Sequence, residues 1–215
     1  MAKINTVMFD FDGTIMDTNR VILQSWQHTF RTFEGRERSE EEIYSTFGEP
    51  LYITMKKVLP NIPVEEAAEV YRSYHYDKFT DLISVFPGML ELLKALKDRD
   101  HKVGLVTSRL WPTTKIGLDK YGMQKYFDTI VTGDDCRNFK PDPEPVNIAL
   151  KRLSSRPEES IMIGDTIFDI LSAKNAGVKS ALVSWALAVK EEEMNGENSP
   201  DYIIKKPEDV LEIIG

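Results

Sequence analysis

The sequence has little cysteine, no excess of basic residues and no long apolar run. Its 215 residues include one cysteine, Cys136, so no intramolecular disulfide can form and nothing indicates an oxidising compartment. The formal charge of −8 argues against nucleic acid or an anionic membrane as a partner, because both attract basic surfaces. No stretch approaches the roughly 18 apolar residues of a membrane span, and residues 1–5 lack the apolar run of a signal peptide. We therefore expect a cytoplasmic protein.

The acidic net charge does not exclude anionic substrates, and the few histidines do not form a metal site that can be recognised from their spacing. An acidic protein can still act on small phosphorylated metabolites, because a divalent cation and a few local basic groups can neutralise them. The three histidines, His28, His75 and His101, lack the spacing of metal ligands, so we expect surface or partly buried positions for them. Hydrophobic residues make up 41% and charged residues 29% of the chain, the ordinary balance of a globular protein with a buried core.

Short apolar runs alternate with segments of helical period over most of the chain. The runs at 4–9, 103–106, 127–131, 161–163 and 180–183 predict strands. Apolar stripes at 90–96 and 146–153 predict helices, and Pro87 is well placed to open the first of them. Strands that alternate with helices predict an α/β fold, a doubly wound parallel sheet covered on both faces.

Residues 18–84 depart from this alternation. They contain no convincing strand, and they predict helices over 20–33, 39–47, 50–58 and 64–80, with Pro60 and Pro63 separating the last two. We therefore predict an α/β core of residues 1–16 and 85–215 and a helical cap of residues 17–84, inserted after the first strand. The short acidic run at 191–193 predicts a solvated loop or helix end.

The first cluster of chemically capable residues follows the first strand. In an open parallel sheet, ligands bind beyond the carboxyl ends of the strands. Asp10, Asp12 and Thr14 lie there, and Gly13 permits a tight loop by tolerating positive φ. Two carboxylates that converge on one point repel each other unless a cation lies between them, so the pattern predicts a metal, and hard oxygen ligands favour Mg²⁺. The alternative is an Asp-Gly turn after an edge strand.

Three later clusters place further candidate ligands near strand ends. Thr107 and Ser108 follow the strand at 103–106, where hydroxyls and turn amides can hold phosphate oxygens, although Thr-Ser also caps helices. Lys140 begins a proline-stiffened stretch and can bring an ammonium to a phosphate, unless it is merely solvated. Asp165 and Asp169 follow the strand at 161–163, and a helix that begins at 166 would turn both towards one site. Asp165 would then ligate the metal, whereas Asp169 would accept a hydrogen bond from Lys140 or a metal-bound water, unless it only caps the helix.

These clusters, in this order, resemble the motifs of the haloacid dehalogenase (HAD) superfamily of phosphatases over nearly the whole chain. Asp10-x-Asp12-Gly13-Thr14 resembles the first motif, Thr107 the second, Lys140 the third, and Gly164-Asp165 with Asp169 the fourth. The insertion at 17–84 matches the position of the helical cap in subfamily I, which closes over a Rossmann-like core.

The resemblance implies a role for each matched residue. Asp10 would attack phosphorus to give an aspartyl-phosphate. Asp12 would protonate the leaving oxygen and then activate the hydrolytic water. Mg²⁺ would be held by Asp10, the backbone carbonyl of Asp12, and Asp165. The superfamily's dehalogenases lack a carboxylate at the position of Asp12, so the resemblance implies a phosphatase.

The remaining motif residues would bind phosphate or support the ligands. Thr107, Ser108 and Lys140 would bind the transferring phosphoryl group, where charge stabilisation supplies much of the rate. Asp169 and Thr14 would contact the ligands rather than the substrate.

Within the superfamily, the chain most resembles phosphoglycolate phosphatases and PpaX-type pyrophosphatases, on residues 47–51, 140–146 and 184–185. The resemblance implies a substrate of phosphoglycolate or pyrophosphate type. Glu49 departs from the pattern, which has a small or apolar residue there, and a carboxylate facing the site would disfavour pyrophosphate. Arg20, Arg72 and Lys56 are further candidates for cap residues that reach the substrate, with a solvent-facing charge as the alternative for each.

Two other readings of the same motifs remain open. A β-phosphoglucomutase-like phosphotransferase shares every core motif, and residues 35–39 faintly resemble its cap sequence. A phospho-accepting signalling domain also uses an aspartate, a threonine and a lysine around magnesium, but such domains are shorter and lack a helical cap. The sequence is compatible with a monomer or a homodimer.

Overall fold

A computed structural model describes residues 3–189 and 196–215, with a six-stranded sheet at its centre. Its strands are β1 (Thr6–Phe9), β2 (Met16–Asp17), β3 (Ser84–Val85), β4 (Lys102–Val106), β5 (Thr129–Val131), β6 (Ser160–Gly164), β7 (Lys179–Val183) and β8 (Tyr202–Ile204). The strand order is β5-β4-β1-β6-β7-β8, and every neighbouring pair is parallel. The five predicted strands and the α/β fold class are confirmed. β8 was not predicted, because its apolar run is too short to stand out.

Helices cover both faces of the sheet and form a separate layer beyond one end of it. They are α1 (Asn19–Glu34), α2 (Glu40–Tyr44), α3 (Leu51–Val58), α4 (Val64–Leu82), α5 (Met89–Asp98), α6 (Trp111–Lys120), α7 (Glu144–Leu153), α8 (Ile167–Asn175) and α9 (Asp209–Ile214). The expectation for Pro87 is wrong, because α5 begins two residues later with Gly88 at its N-cap. The acidic run at 191–193 lies outside the described residues.

Alternating residues of β1 divide the core into two apolar layers. Val7 and Phe9 belong to a cluster that includes Leu93 of α5, whereas Met8 belongs to a cluster that includes Val146 of α7. Successive side chains of a strand point to opposite faces, so a fully buried strand needs apolar residues at every position. β1 therefore lies inside the sheet, between β4 and β6.

Helices α1 to α4 pack around an apolar cluster of their own. Trp26 of α1 contacts Tyr71 of α4 edge to face, with ring centroids 5.1 Å apart, and Phe30 and Met55 are buried beside them. The chain enters and leaves these helices through β2 and β3, which pair antiparallel. This pair lies at the predicted cap boundaries of 17 and 84, and the division into cap and core stays a prediction. No helix in the described part of the chain is long and apolar enough to cross a membrane.

Candidate active site

The carboxyl ends of three adjacent strands bring the predicted motif residues together. Phe9 of β1 lies opposite Leu105 of β4 and Ile163 of β6, so the residues that follow these strands meet at one edge of the sheet. A cavity of 420 Å³ lies between this edge and helices α1 to α4. Seven of the predicted residues that follow the core strands line it: Asp10, Asp12, Thr107, Ser108, Lys140, Asp165 and Asp169. Thr14 lies behind them, its hydroxyl 3.5 Å from Oδ1 of Asp165.

A buried lysine joins two carboxylates at the base of the cavity. The Nζ of Lys140 donates to Oδ1 of Asp10 at 2.6 Å, to Oδ1 of Asp169 at 2.5 Å and to the carbonyl oxygen of Val106 at 3.2 Å. All three donor positions of the ammonium are therefore used. Lys140 is 5% exposed, which places it in the site and not in solvent.

Asp169 combines two roles that the sequence analysis treated as alternatives. Its Oδ1 accepts from Lys140, whereas its Oδ2 accepts from the backbone N–H and the hydroxyl of Thr166, 3.0 and 2.7 Å away. Thr166 is the N-cap of α8, so the second oxygen closes a capping box. The first turn of α8 therefore fixes the orientation of the Asp169 carboxylate, which accepts a hydrogen bond from Lys140.

The buried carboxylates outnumber the ammonium beside them. Burial raises the pKa of Asp10 to about 7, and the charge of Lys140 offsets this only in part. Burial and the charge of Asp10 raise the pKa of Asp165 well above its usual range. Burial opposes the charge of Lys140, but Asp10 and Asp169 outweigh that effect and raise its pKa.

This excess of buried oxygen ligands fits a divalent cation. One carboxylate oxygen from each of Asp10, Asp165 and Asp169 lies within 4.8 Å of the others, and all three residues are buried. Hard carboxylate oxygens at this spacing suit a hard cation, which would supply the positive charge that Lys140 alone does not provide.

Two glycines allow the carboxylates to come this close. A Cβ on Gly13, whose φ is +71°, would lie 2.1 Å from Oδ2 of Asp165. A Cβ on Gly164 would lie 2.2 Å from Cβ of Asp169. Both contacts are far shorter than van der Waals distance, so each position requires glycine for the site to assemble.

The structure corrects one expectation for Asp12. The carboxylates of Asp10 and Asp12 are expected to share one cation, but the positive group that pairs with Asp12 is the guanidinium of Arg109. Nη2 of Arg109 donates to Oδ1 of Asp12 at 2.6 Å, and Nε lies 2.9 Å from Oδ2. Burial opposes ionisation of Asp12, but the guanidinium outweighs it and lowers the pKa of the carboxyl. The carboxylate of Asp12 is not part of the buried cluster of Asp10, Asp165 and Asp169.

The hydroxyls of the second motif occupy different environments. Oγ1 of Thr107 accepts from the backbone N–H of Arg109 at 3.1 Å, which holds the turn after β4. The hydroxyl of Ser108 is buried and has no hydrogen-bond partner among the described residues, and Ser108 lines the cavity. A buried hydroxyl without a partner is costly, and a phosphate oxygen in the cavity would relieve that cost.

The cap candidates differ in position. Glu49 lines the cavity, but its carboxylate forms an ion pair with Lys57 and accepts from the hydroxyl of Thr54 at 3.0 Å. Arg20 is exposed on α1 and is not among the residues that line the cavity, as the solvent-facing alternative predicts. Arg72, another of the basic cap candidates, does line the cavity, and its Nη1 donates to the hydroxyl of Tyr52 at 2.8 Å.

Comparison with known proteins agrees with the motifs. The family described as haloacid dehalogenase-like hydrolase matches residues 7–183. The chain belongs to this family. Proteins named pyrophosphatase PpaX are 40% identical in Bacillus pumilus (strain SAFR-032), over 100% of this chain and 98% of that protein, and 37% identical in Halalkalibacterium halodurans, over 99% and 98%.

A solved structure extends the likeness to the whole fold of this HAD hydrolase. The haloacid dehalogenase-like family protein SP0104 from Streptococcus pneumoniae superposes with a TM-score of 0.88 at 27% identity, covering 100% of both chains. The chain is therefore an enzyme, a hydrolase of the phosphatase type.

Sequence reasoning missed Arg109 and His75. Nη1 of Arg109 lies 3.0 Å from Nε2 of His75, which comes from α4 and is buried. A signal existed for Arg109, because it directly follows the Thr107-Ser108 pair. No signal marked His75, since its spacing in the sequence carries no information about a partner 34 residues away.

Proposed function

We propose that this HAD hydrolase removes phosphate from small phosphorylated metabolites through an aspartyl-phosphate on Asp10, with Mg²⁺ as its cofactor. The observation that carries the proposal is the buried cluster of Asp10, Lys140, Asp165 and Asp169 at the base of the cavity. A carboxylate at a strand end, held by a buried ammonium and open to a cavity, is placed to act as a nucleophile. The composition favours the cytoplasm as its compartment.

The first half of the reaction transfers the phosphoryl group to the protein. An oxygen of Asp10 forms a bond to phosphorus while the bond from phosphorus to the leaving oxygen breaks. Arg109 keeps Asp12 ionised in the free site, so Asp12 first takes up a proton as the anionic substrate binds and then gives this proton to the leaving oxygen. The ammonium of Lys140 and the hydroxyls of Thr107 and Ser108 stabilise the negative charge on the transferring group.

The second half regenerates the enzyme. The carboxylate of Asp12 takes a proton from a water molecule, whose oxygen attacks phosphorus and displaces Asp10. Phosphate leaves, Asp10 is again a carboxylate, and Asp12 is again protonated. Asp10, Asp165 and the backbone carbonyl of Asp12 would hold Mg²⁺, which when bound neutralises the charge that a phosphate brings into this acidic site.

We infer a substrate whose leaving group carries a second anionic group, as in pyrophosphate or phosphoglycolate. Arg72 lines the cap side of the cavity, where it can meet that group. The repulsion expected between the Glu49 carboxylate and pyrophosphate is weakened, because Lys57 balances the charge of Glu49. Relatives named pyrophosphatase PpaX, 40% and 37% identical over essentially the full chain, support this substrate class.

The test is phosphate release with Mg²⁺ from pyrophosphate, phosphoglycolate, a sugar phosphate and a nucleoside monophosphate. We expect a preference for pyrophosphate or phosphoglycolate, and release at background level from Asp10→Asn. Mass spectrometry of the variant must show that the side-chain amide persists. Clear turnover by such a preparation would remove Asp10 from the role of nucleophile, and an even, weak response to all substrates would remove the proposed substrate class.

The cap stretch at 35–39 does not support the mutase. Of the stretch that resembles a mutase cap, Arg38 forms an ion pair with Glu34 at 2.5 Å and donates to the carbonyl oxygen of Val58 at 2.8 Å. Ser39 caps α2. None of the residues 35–39 lines the described cavity, so they act within the cap.

A further inference from the structure

We propose that Arg109 and His75 are positioning residues for Asp12, and that His75 makes the orientation of Asp12 depend on contact between cap and core. The inference rests on the proposed function, in which Asp12 is the acid and base. Nothing in the family motifs assigns a role to either residue.

Arg109 fixes the carboxylate of Asp12 in one orientation. Its Nε lies 2.9 and 3.2 Å from the two oxygens of Asp12, and its Nη2 lies 2.6 Å from Oδ1. Two parallel N–H donors of a planar guanidinium leave a carboxylate little freedom to rotate, which a single ammonium could not achieve. Arg109 itself lies 4.7 Å above the ring of Phe79, another residue of α4.

His75 fixes Arg109 in turn, and the hydrogen bonds define its tautomer. A guanidinium only donates, so Nε2 of His75 must accept from Nη1 of Arg109, 3.0 Å away. The ring proton is then on Nδ1, which donates to Oγ of Ser25 at 3.2 Å. Oγ of Ser25 donates to the carbonyl oxygen of Val21 at 2.6 Å. In this series of hydrogen bonds every donor has an acceptor, and the donor and acceptor assignments agree with one another.

The chain of contacts requires a neutral histidine, and its surroundings keep it neutral. His75 is 5% exposed, stacks on Tyr71 and packs against Phe79 at a tilt, both on α4. Burial and the adjacent charge of Arg109 lower the pKa of His75 to about 3. The acceptor at Nε2 is therefore present throughout the range in which such an enzyme works.

The contacts cross from the cap to the core. Arg109 follows β4 of the sheet, whereas His75 is on α4 and Ser25 on α1. If the cap moves away from the core, Arg109 loses the acceptor on His75 and its hold on Asp12 relaxes. Proton transfer by Asp12 is then favoured only when the cap covers the substrate, which keeps the reaction out of bulk water.

A positioning role has a kinetic consequence that a purely structural role lacks. Misplacing a general acid slows the departure of a strongly basic leaving group, such as the alkoxide of phosphoglycolate. The weakly basic p-nitrophenolate leaves without that proton, so its release should be affected far less. The ratio of the two activities therefore reports the position of Asp12.

The experiment measures kcat and KM of the full-length enzyme with Mg²⁺ on phosphoglycolate and p-nitrophenyl phosphate. His75→Leu removes the acceptor, His75→Gln keeps a carbonyl oxygen near the position of Nε2, and His28→Leu is the matched cap control. His28 stacks on Tyr74 of α4 but makes no contact with Arg109. We expect His75→Leu to lower kcat/KM at least about tenfold more on phosphoglycolate than on p-nitrophenyl phosphate, because kcat/KM reports the phosphoryl transfer to Asp10 and not the hydrolysis step that both substrates share. His75→Gln should recover most of the loss.

The possible outcomes separate this inference from the proposed function. Equal losses on both substrates for His75→Leu, or the same pattern in His28→Leu, would overturn the positioning role while the function stands. If His75→Leu does not fold, Ser25→Ala replaces it, and an unchanged activity ratio in that variant would equally overturn the role. Turnover by Asp10→Asn, or none by the wild type on these two substrates and on pyrophosphate, would overturn the proposed function and this inference with it.

Discussion

Replacing the buried Asp10 by its neutral isostere asparagine should stabilise the metal-free fold at neutral pH. Asp10 is 5% exposed, and its burial raises its pKa from an ordinary 3.8 to about 7 despite the ammonium of Lys140. At about 1.4 kcal/mol per pKa unit, ionising Asp10 in the folded chain costs about 4 kcal/mol. Asp10→Asn keeps the shape of the side chain and removes this cost.

The sign of the pH dependence follows from the direction of the shift. Between the ordinary pKa of 3.8 and the folded value of about 7, the folded chain binds a proton at Asp10 that the unfolded chain has released. The contribution of Asp10 to the free energy of unfolding is therefore complete below the lower value and is lost as the pH rises through the upper one. The advantage of Asp10→Asn should grow from near zero at about pH 4 to about 4 kcal/mol at about pH 8.

Urea unfolding followed by tryptophan fluorescence measures this difference, in a metal chelator and at several pH values. Asp98→Asn is the matched control, because Asp98 lies exposed on α5, and it should change the free energy of unfolding by less than about 0.5 kcal/mol. Saturating Mg²⁺ should narrow the gap at about pH 8, because binding to ionised Asp10 stabilises only the wild type. A wild type as stable as Asp10→Asn at about pH 8 in chelator would show that Lys140 fully compensates the buried charge.

Three further variants test the rest of the site. Lys140→Met should lower kcat/KM by about 10³, because the phosphoryl group loses its buried ammonium; a loss below about tenfold would contradict this. Gly13→Ala should raise the Mg²⁺ concentration for half-maximal activity by about tenfold, because the new Cβ would lie 2.1 Å from Oδ2 of Asp165, and a magnesium titration of activity measures it. Arg72→Met should raise KM for pyrophosphate by about tenfold with little change in kcat, whereas the exposed Arg36→Met should change neither; equal KM values in the two variants would exclude Arg72 from the substrate.

The positions of the motif residues follow from local rules, which explains why the sequence could predict them. Asp10 and Asp165 each follow an apolar run that can only be a buried strand, and parallel strands bring their carboxyl ends to one edge of a sheet. The second role of Asp169, as partner of the Thr166 cap, is also local, because it depends on a spacing of three residues.

What the sequence by itself determined is therefore the α/β core, the helical insertion and the set of residues that meet at the strand ends. Only the tertiary structure decided which charged side chains pair with each other and which line the cavity. It paired Asp12 with Arg109, balanced Glu49 with Lys57 and placed Arg20 outside the cavity. Each of these outcomes depends on where a side chain ends after cap and core have packed, and hydrophobic periodicity carries no information about contacts between residues that are distant in the chain.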